Sequence, residues 1–304
     1  MSVFESGHPV LAVLNIHSGW NDGSACQKLL EGTMRDAGVP LQVIKVRRGT
    51  DVPAVVRDAC AKGVTAVIAG GGDGTLNAVA RGLQGSNVPM AIVPIGTLNH
   101  LARDLSVPID ATKAIRALPG GHEISMDLGE VNGRVFLNNS ILGLYPAYSF
   151  ARERREKIGL SKMRAILSAI LTIFRRNPVL TLWLTVDGRE MKRRTPYILI
   201  ANNEHKMEGY QLGHREQLDA GVLWVYVMKP RSRWGLVKLL ASLLFGRFRR
   251  HEEFEVFPAA SMRVESKRTT MGVALDGDVT RMRTPLEYRS LSKALRVIAP
   301  AQTA

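Results

Sequence analysis

The stretch Ala66-Val67-Ile68-Ala69-Gly70-Gly71-Gly72-Asp73-Gly74-Thr75-Leu76-Asn77 runs from an apolar strand through three glycines into the start of a helix. Consecutive glycines let backbone N–H groups turn inward and approach an anion without Cβ clashes. The helix N-terminus behind them adds a favourable dipole and free donors. Phosphate binding is the reading these residues support; a glycine-rich turn without a ligand is the bland alternative. Asp73 inside such a loop is unfavourable beside an anion unless it handles a cation, so it points to Mg²⁺ carried with the phosphates.

A second loop repeats the pattern, with strand Met90 to Pro94 ending in Ile95-Gly96-Thr97-Leu98-Asn99 before another helix. Two such loops at the carboxyl ends of neighbouring strands would share one crevice, where open α/β sheets bind ligands. Outward from them, strand-like runs at Val10 to Ile16, Leu41 to Val46 and Glu123 to Leu128 alternate with helix-like stretches. These helices lie around Ala25 to Ala37, Pro53 to Lys62, Leu76 to Leu83, Leu98 to Leu105 and Ala111 to Leu118. The strands are almost continuously apolar, as a parallel sheet covered on both faces requires. Residues 1–130 are therefore expected to form a doubly wound α/β domain.

After Gly129 the pattern changes to β-like runs at Arg134 to Ser140, Val179 to Val186, Tyr197 to Asn202, Leu223 to Met228, Glu255 to Phe257, Met262 to Glu265 and Gly272 to Leu275. Asp187-Gly188 predicts a type I′ hairpin turn. A second, mostly antiparallel domain is expected over 131–285, interrupted by helical segments Phe150 to Arg176 and Ser232 to Arg250. The tail 286–304 is free to return to the first domain.

The 304 residues suit two domains at roughly 150 residues each, and 45% hydrophobic residues supply a core. Cys26 and Cys60 have no CxxC spacing, which argues against a disulfide framework or zinc site. The run Pro9 to Ile16 lacks the basic flank of a signal peptide, and no apolar run approaches the roughly 20 residues of a membrane span. A reduced, cytoplasmic setting is expected. The net charge is +14, which favours a polyanionic partner. Residues 151–176 and 231–250 carry +6 each and are also strongly apolar. That combination suits an anionic membrane surface, with the protein reversibly peripheral at the inner face. Nucleic acid is disfavoured, because it would call for basic residues arranged with exposed stacking aromatics or a groove-reading motif, and the sequence shows no such arrangement. His205, His214 and His251 lack metal-ligand spacing and are expected on loops or the surface. Asn202 and Asn203 follow a strand and fit turn chemistry as well as a site.

The combination of Asn15-Ile16-His17-Ser18-Gly19, Gly70 to Asn77, Pro94 to Arg103, Met126-Asp127-Leu128-Gly129, Leu218 to Leu223 and Leu275-Asp276-Gly277-Asp278 resembles the diacylglycerol kinase catalytic-domain family. That family includes sphingosine kinases and bacterial soluble lipid kinases. The resemblance implies an N-terminal nucleotide domain, a C-terminal β-sandwich lipid domain, ATP and Mg²⁺ as cofactors, and a lipid substrate. It implies nucleotide contacts from Asn15, Gly70, Gly71, Gly72, Asp73, Gly74, Thr75, Gly96, Thr97 and Asn99. Asp73 would organise Mg²⁺ through water, and Asp278 would take the proton of the lipid hydroxyl. The chain departs from the family pattern at several positions. Ile16 stands at a usual Pro, and Arg47 stands near a usual Thr. His100 replaces a carboxylate beside the nucleotide, and Asp278 replaces a Glu. Ala220 replaces a structural-metal Asp, which leaves Asp219 as the remaining candidate. An NAD-kinase-like enzyme is the rival that shares the GGDGT string, and a nucleotide- and lipid-binding protein with little turnover is the rival of another class.

Overall fold

The computed structural model describes residues 4, 7–15, 23–97, 99–143, 179–208, 211–229 and 254–301. They fall into two compact units. Unit 1 comprises Met1–Leu128, His214–Ala220 and Leu291–Ala304, and unit 2 comprises Gly129–Gly213 and Gly221–Ser290. The expected basic helices, 150–176 and 232–250, lie outside the described residues.

Unit 1 runs β1 (Val10–Leu14), α1 (Gly23–Asp36), β2 (Leu41–Lys45), α2 (Val52–Ala61), β3 (Ala66–Gly71), α3 (Asp73–Leu83), β4 (Met90–Pro94), α4 (His100–Asp104), α5 (Ala111–Ala117) and the start of β5 (His122–Val131). Strands pair in parallel in the order β2-β1-β3-β4. Every residue of β1, β3 and β4 is buried, because helices cover both faces. On one face Cys26, Leu30 and Met34, four residues apart along α1, join Ala111 and Ile115 of α5 over Val10, Ala12, Ile68 and Val93. α2 and α3 pack on each other, and a Cβ at Gly82 would come within 2.6 Å of Val56 Cβ, so the close approach requires glycine. Asp51 starts α2 by accepting the Ala54 N–H, an N-cap that satisfies an orphan donor. The strand order places β2 and β3 on opposite sides of β1, so the winding reverses between β1 and β3. Ligands of doubly wound sheets gather at the carboxyl ends of such a pair.

Unit 2 contains β6 (Arg134–Phe136), β7 (Asn139–Gly143), β8 (Leu180–Val186), β9 (Arg189–Thr195), β10 (Tyr197–Asn202), β11 (His205–Glu208), β12 (Gln211–Arg215, entering unit 1), β13 (Leu223–Met228), β14 (Phe254–Ala259), β15 (Ser261–Ser266), β16 (Thr270–Leu275), β17 (Asp278–Arg283) and the first part of β18 (Leu286–Ala299). One antiparallel sheet has the order β14-β13-β10-β7-β16-β17; the other runs β9-β8-β15-β18. Leu182, Leu184, Met262, Val264 and Tyr288 from the second sheet share a core with Ile198, Ile200, Val225 and Val273 from the first. This is a β-sandwich. Within it, the Tyr288 hydroxyl lies 3.0 Å from Ser140 Oγ, and burial pushes its pKa upward.

Asp187 and Gly188 both take positive φ, 45° and 84°, as a type I′ turn demands. The expected run Arg134 to Ser140 is instead two strands. Its ladder breaks because the N–H groups of Leu137, Asn138 and Asn139 donate to the Asp276 carboxylate. His205, expected on a loop or the surface, is buried at the start of β11 with Nδ1 3.2 Å from Asn203 O. Asn203 has φ +65°, and Asn202 donates to Leu137 O. The tail expected to be free to return to the first domain forms β18 over Leu286–Ala299: it serves unit 2 up to Ser290, and beyond it Val297 pairs in parallel with Met90 of unit 1. Between β12 and β13 the chain leaves unit 2, and His214–Ala220 belongs to unit 1, an excursion without counterpart in the sequence reading.

Candidate functional site

The site grows from the carboxyl ends of β1, β3 and β4. Asn15, immediately after β1, donates its backbone N–H to Gly70 O at 2.7 Å and its side-chain amide to Thr75 Oγ1 at 3.1 Å. It therefore holds the glycine loop at both ends. Gly72 precedes α3 in an extended conformation with no side-chain cap, so orphan N–H donors of the helix start remain for an external acceptor.

Gly72 and Gly96 sit back to back. A Cβ on Gly96 would overlap Gly72 Cα, and one on Gly72 would lie 3.3 Å from Gly96 Cα. The two loops are thus locked by glycine-to-glycine contact. A backbone bond from Ile95 N to Gly71 O at 3.2 Å adds to it. Asn99, left-handed at φ 51° and buried, accepts from Gly96 N at 3.1 Å and donates to Gly96 O at 2.8 Å. It shapes the loop with both ends of its amide. Thr97 is exposed at the loop tip, as is Gly74 in the first turn of α3.

Asp73 is half-buried, and its Oδ1 accepts the His100 N–H at 3.1 Å. One oxygen thereby ties α3 to α4. His100 contributes to this joint through its backbone. The structure brings Asn15, Gly70 to Thr75, Gly96, Thr97, Asn99 and His100 together in unit 1 as one loop cluster.

Asp219 belongs to the 214–220 excursion. It is exposed, with Lys293 Nζ 3.7 Å from Oδ2. Among the described residues no three His, Cys, Asp or Glu side chains group as a metal site. Asp127 is fully buried and accepts the Lys293 N–H, while its own N–H donates to Leu218 O at 2.7 Å.

Asp278 opens β17 in unit 2 and is exposed. The turn before it, Asp276 (φ 47°) and Gly277 (φ 95°), is fixed because Asp276 collects three backbone N–H groups at 2.7–2.9 Å. The buried pair Asp104 with Arg215 joins residues 111 positions apart, and nothing local in the sequence announces it. The role of Asp276 is equally silent in its motif, because the three N–H groups it collects come from Leu137 to Asn139, far away in sequence.

Residues 9–131 match the family model described as the diacylglycerol kinase catalytic domain. Residues 151–299 match the YegS C-terminal NAD kinase beta sandwich-like domain. A Citrobacter koseri protein named "Probable lipid kinase YegS-like" is 37% identical over 116 residues, 37% of this chain and 39% of its own length. A "Diacylglycerol kinase" of Staphylococcus saprophyticus is 26% identical over 242 residues, 77% of this chain and 76% of that protein. The match to the YegS-like relatives spans about two-fifths of their length. A solved structure described as a diacylglycerol kinase from Bacillus anthracis str. Sterne superposes with TM-score 0.69 at 20% identity, covering 98% of both chains. That likeness shows the fold.

Proposed function

We propose, from the match of residues 9–131 to the diacylglycerol kinase catalytic domain, that the chain transfers the γ-phosphate of ATP to a hydroxyl of diacylglycerol or a related lipid at a membrane surface. The observation that carries this reading is the pair of glycine loops locked at Gly72 and Gly96, with open N–H donors at the head of α3. Asn15, Gly70 to Thr75, Gly96 and Thr97 form the phosphate cradle, and Asn99 holds its second loop in shape.

The residues fit Mg²⁺, which keeps several waters and is bound through one or two carboxylates plus substrate phosphates. Asp73 is the carboxylate at the loop cluster, and its link to His100 N orients it. When bound, the ion neutralises charge on the β- and γ-phosphates. The lipid oxygen forms a bond to the γ-phosphorus as the bond to the β–γ bridging oxygen breaks and ADP departs. Phosphoryl transfer needs mainly alignment and charge stabilisation, and a positioned base adds to it by accepting the hydroxyl proton. Asp278 is proposed as that base.

The test is incubation of the protein with γ-labelled ATP and a total lipid extract, with Mg²⁺ and then with EDTA. Label in a phospholipid product, lost with EDTA, is expected; the product identifies the lipid. Label in NADP instead, when NAD is supplied, would favour the NAD-kinase-like reading, and nucleotide binding without label transfer would favour a binding protein.

A further inference from the structure

The helix α4 has five residues, too few to hold itself in place, so its ends decide where it lies. Its first N–H is bound by Asp73 Oδ1, and the residue before it, Asn99, carries the Gly96 loop. Its last residue, Asp104, is gripped by Arg215 from the 214–220 excursion. Arg215 N donates to Asp104 Oδ1 at 2.9 Å and Arg215 Nε to Oδ2 at 2.8 Å, with Nη2 2.7 Å from Oδ2. The two side chains are 0% and 3% exposed. The grip has its own anchor, since Leu218 O, three residues on, accepts the buried Asp127 N–H.

A dry guanidinium–carboxylate pair with an added backbone donor has little freedom to shift. We infer that Arg215, acting through Asp104 and α4, is a positioning residue that sets the Asp73 carboxylate and the Gly96 loop for the nucleotide phosphates. The inference rests on the phosphate-loop reading above and assigns it a remote support. Displacement of a site by about 1 Å can cost roughly a hundredfold in rate, so a support remote from the phosphates still governs turnover.

Removing one partner alone would strand a buried charge and endanger the fold, whereas replacing both with apolar residues of similar shape is tolerated far better. The test therefore uses the double variant Asp104→Leu/Arg215→Met beside Arg215→Lys, with melting temperature as the fold control. Hydrogen exchange of peptides covering residues 95–105 is read without nucleotide, ATP affinity by calorimetry, and KM and kcat for ATP and lipid separately. At unchanged melting temperature, the double variant should exchange faster over 95–105 and lose about tenfold or more in ATP affinity. The KM for lipid should stay as in the parent, and Arg215→Lys should fall between the two. Unchanged exchange over 95–105, or parental ATP affinity and kcat in the folded double variant, would overturn the inference. A parent chain that itself binds no ATP would instead overturn the phosphate-loop reading and remove the inference's target.

Discussion

A Cβ added at Gly72 would press on Gly96 Cα, whereas one added at Gly74 meets nothing within 4 Å. The two glycines consequently separate the fold from the ligand. Gly72→Val should part the loops and abolish ATP binding, with circular dichroism reporting how much local structure is lost. Gly74→Ala should leave stability unchanged or raise it by about 0.5–1 kcal/mol, since alanine is the better helix residue. It should still weaken ATP, because the new methyl projects from the exposed first turn of α3. Calorimetry showing parental affinity in Gly74→Ala would move the phosphates away from that turn. Asp276 and Asp278 divide in a similar way. Asp276→Asn removes an acceptor from three converging N–H groups and should cost about 1–3 kcal/mol of stability. Asp278→Asn, on an exposed carboxylate, should melt with the parent while turnover falls roughly 10²- to 10⁴-fold. Equal turnover in that variant would exclude Asp278 as the base.

At the scale of elements, α1 directs Cys26, Leu30 and Met34 into the core over β1 and β3. The thiol, wholly buried, is pushed by burial from an ordinary 9.0 up to about 11. A folded-state value above the unfolded one means that the neutral thiol stabilises the fold fully below pH 9 and loses that contribution as pH rises towards 11. The loss should approach roughly 2–3 kcal/mol, and denaturant melts should show it as a difference between the parent and Cys26→Ala that shrinks across this window. Identical pH profiles would refute it. The same elements show what the sequence disclosed. β3, β4 and their loops were legible because an apolar run followed by glycines has few other readings. β9 and β17 were not: Arg189, Glu190, Lys192, Arg193 and Arg194 crowd one strand whose stability comes from pairing with β8. Nor could local pattern give the β2-β1-β3-β4 order that sets Asn15 against Gly70, or a pair such as Asp104 and Arg215, because both depend on contacts distant in sequence.

For the whole molecule the decisive quantity is the distribution of charge. Of the net +14, +12 falls in residues 151–176 and 231–250, which leaves the rest of the chain nearly neutral. A charge so concentrated acts as a local electrostatic footprint and is attracted to a surface of opposite sign. Each Lys or Arg held near an anionic bilayer contributes about 1 kcal/mol, and the attraction decays within a Debye length. Docking should therefore appear on vesicles rich in anionic phospholipid, be absent on neutral phosphatidylcholine vesicles at the same concentration, and weaken as salt rises. Reversing Lys238, Arg247, Arg249 and Arg250 to Glu should reduce sedimentation with anionic vesicles strongly. Phosphorylation of lipid dispersed in detergent should persist, because none of these four residues is assigned to the phosphate cradle or to the base. Vesicle sedimentation equal to the parent's would show that the basic segments are merely solvated, and a loss of detergent-phase activity in parallel would assign them to substrate handling instead of docking.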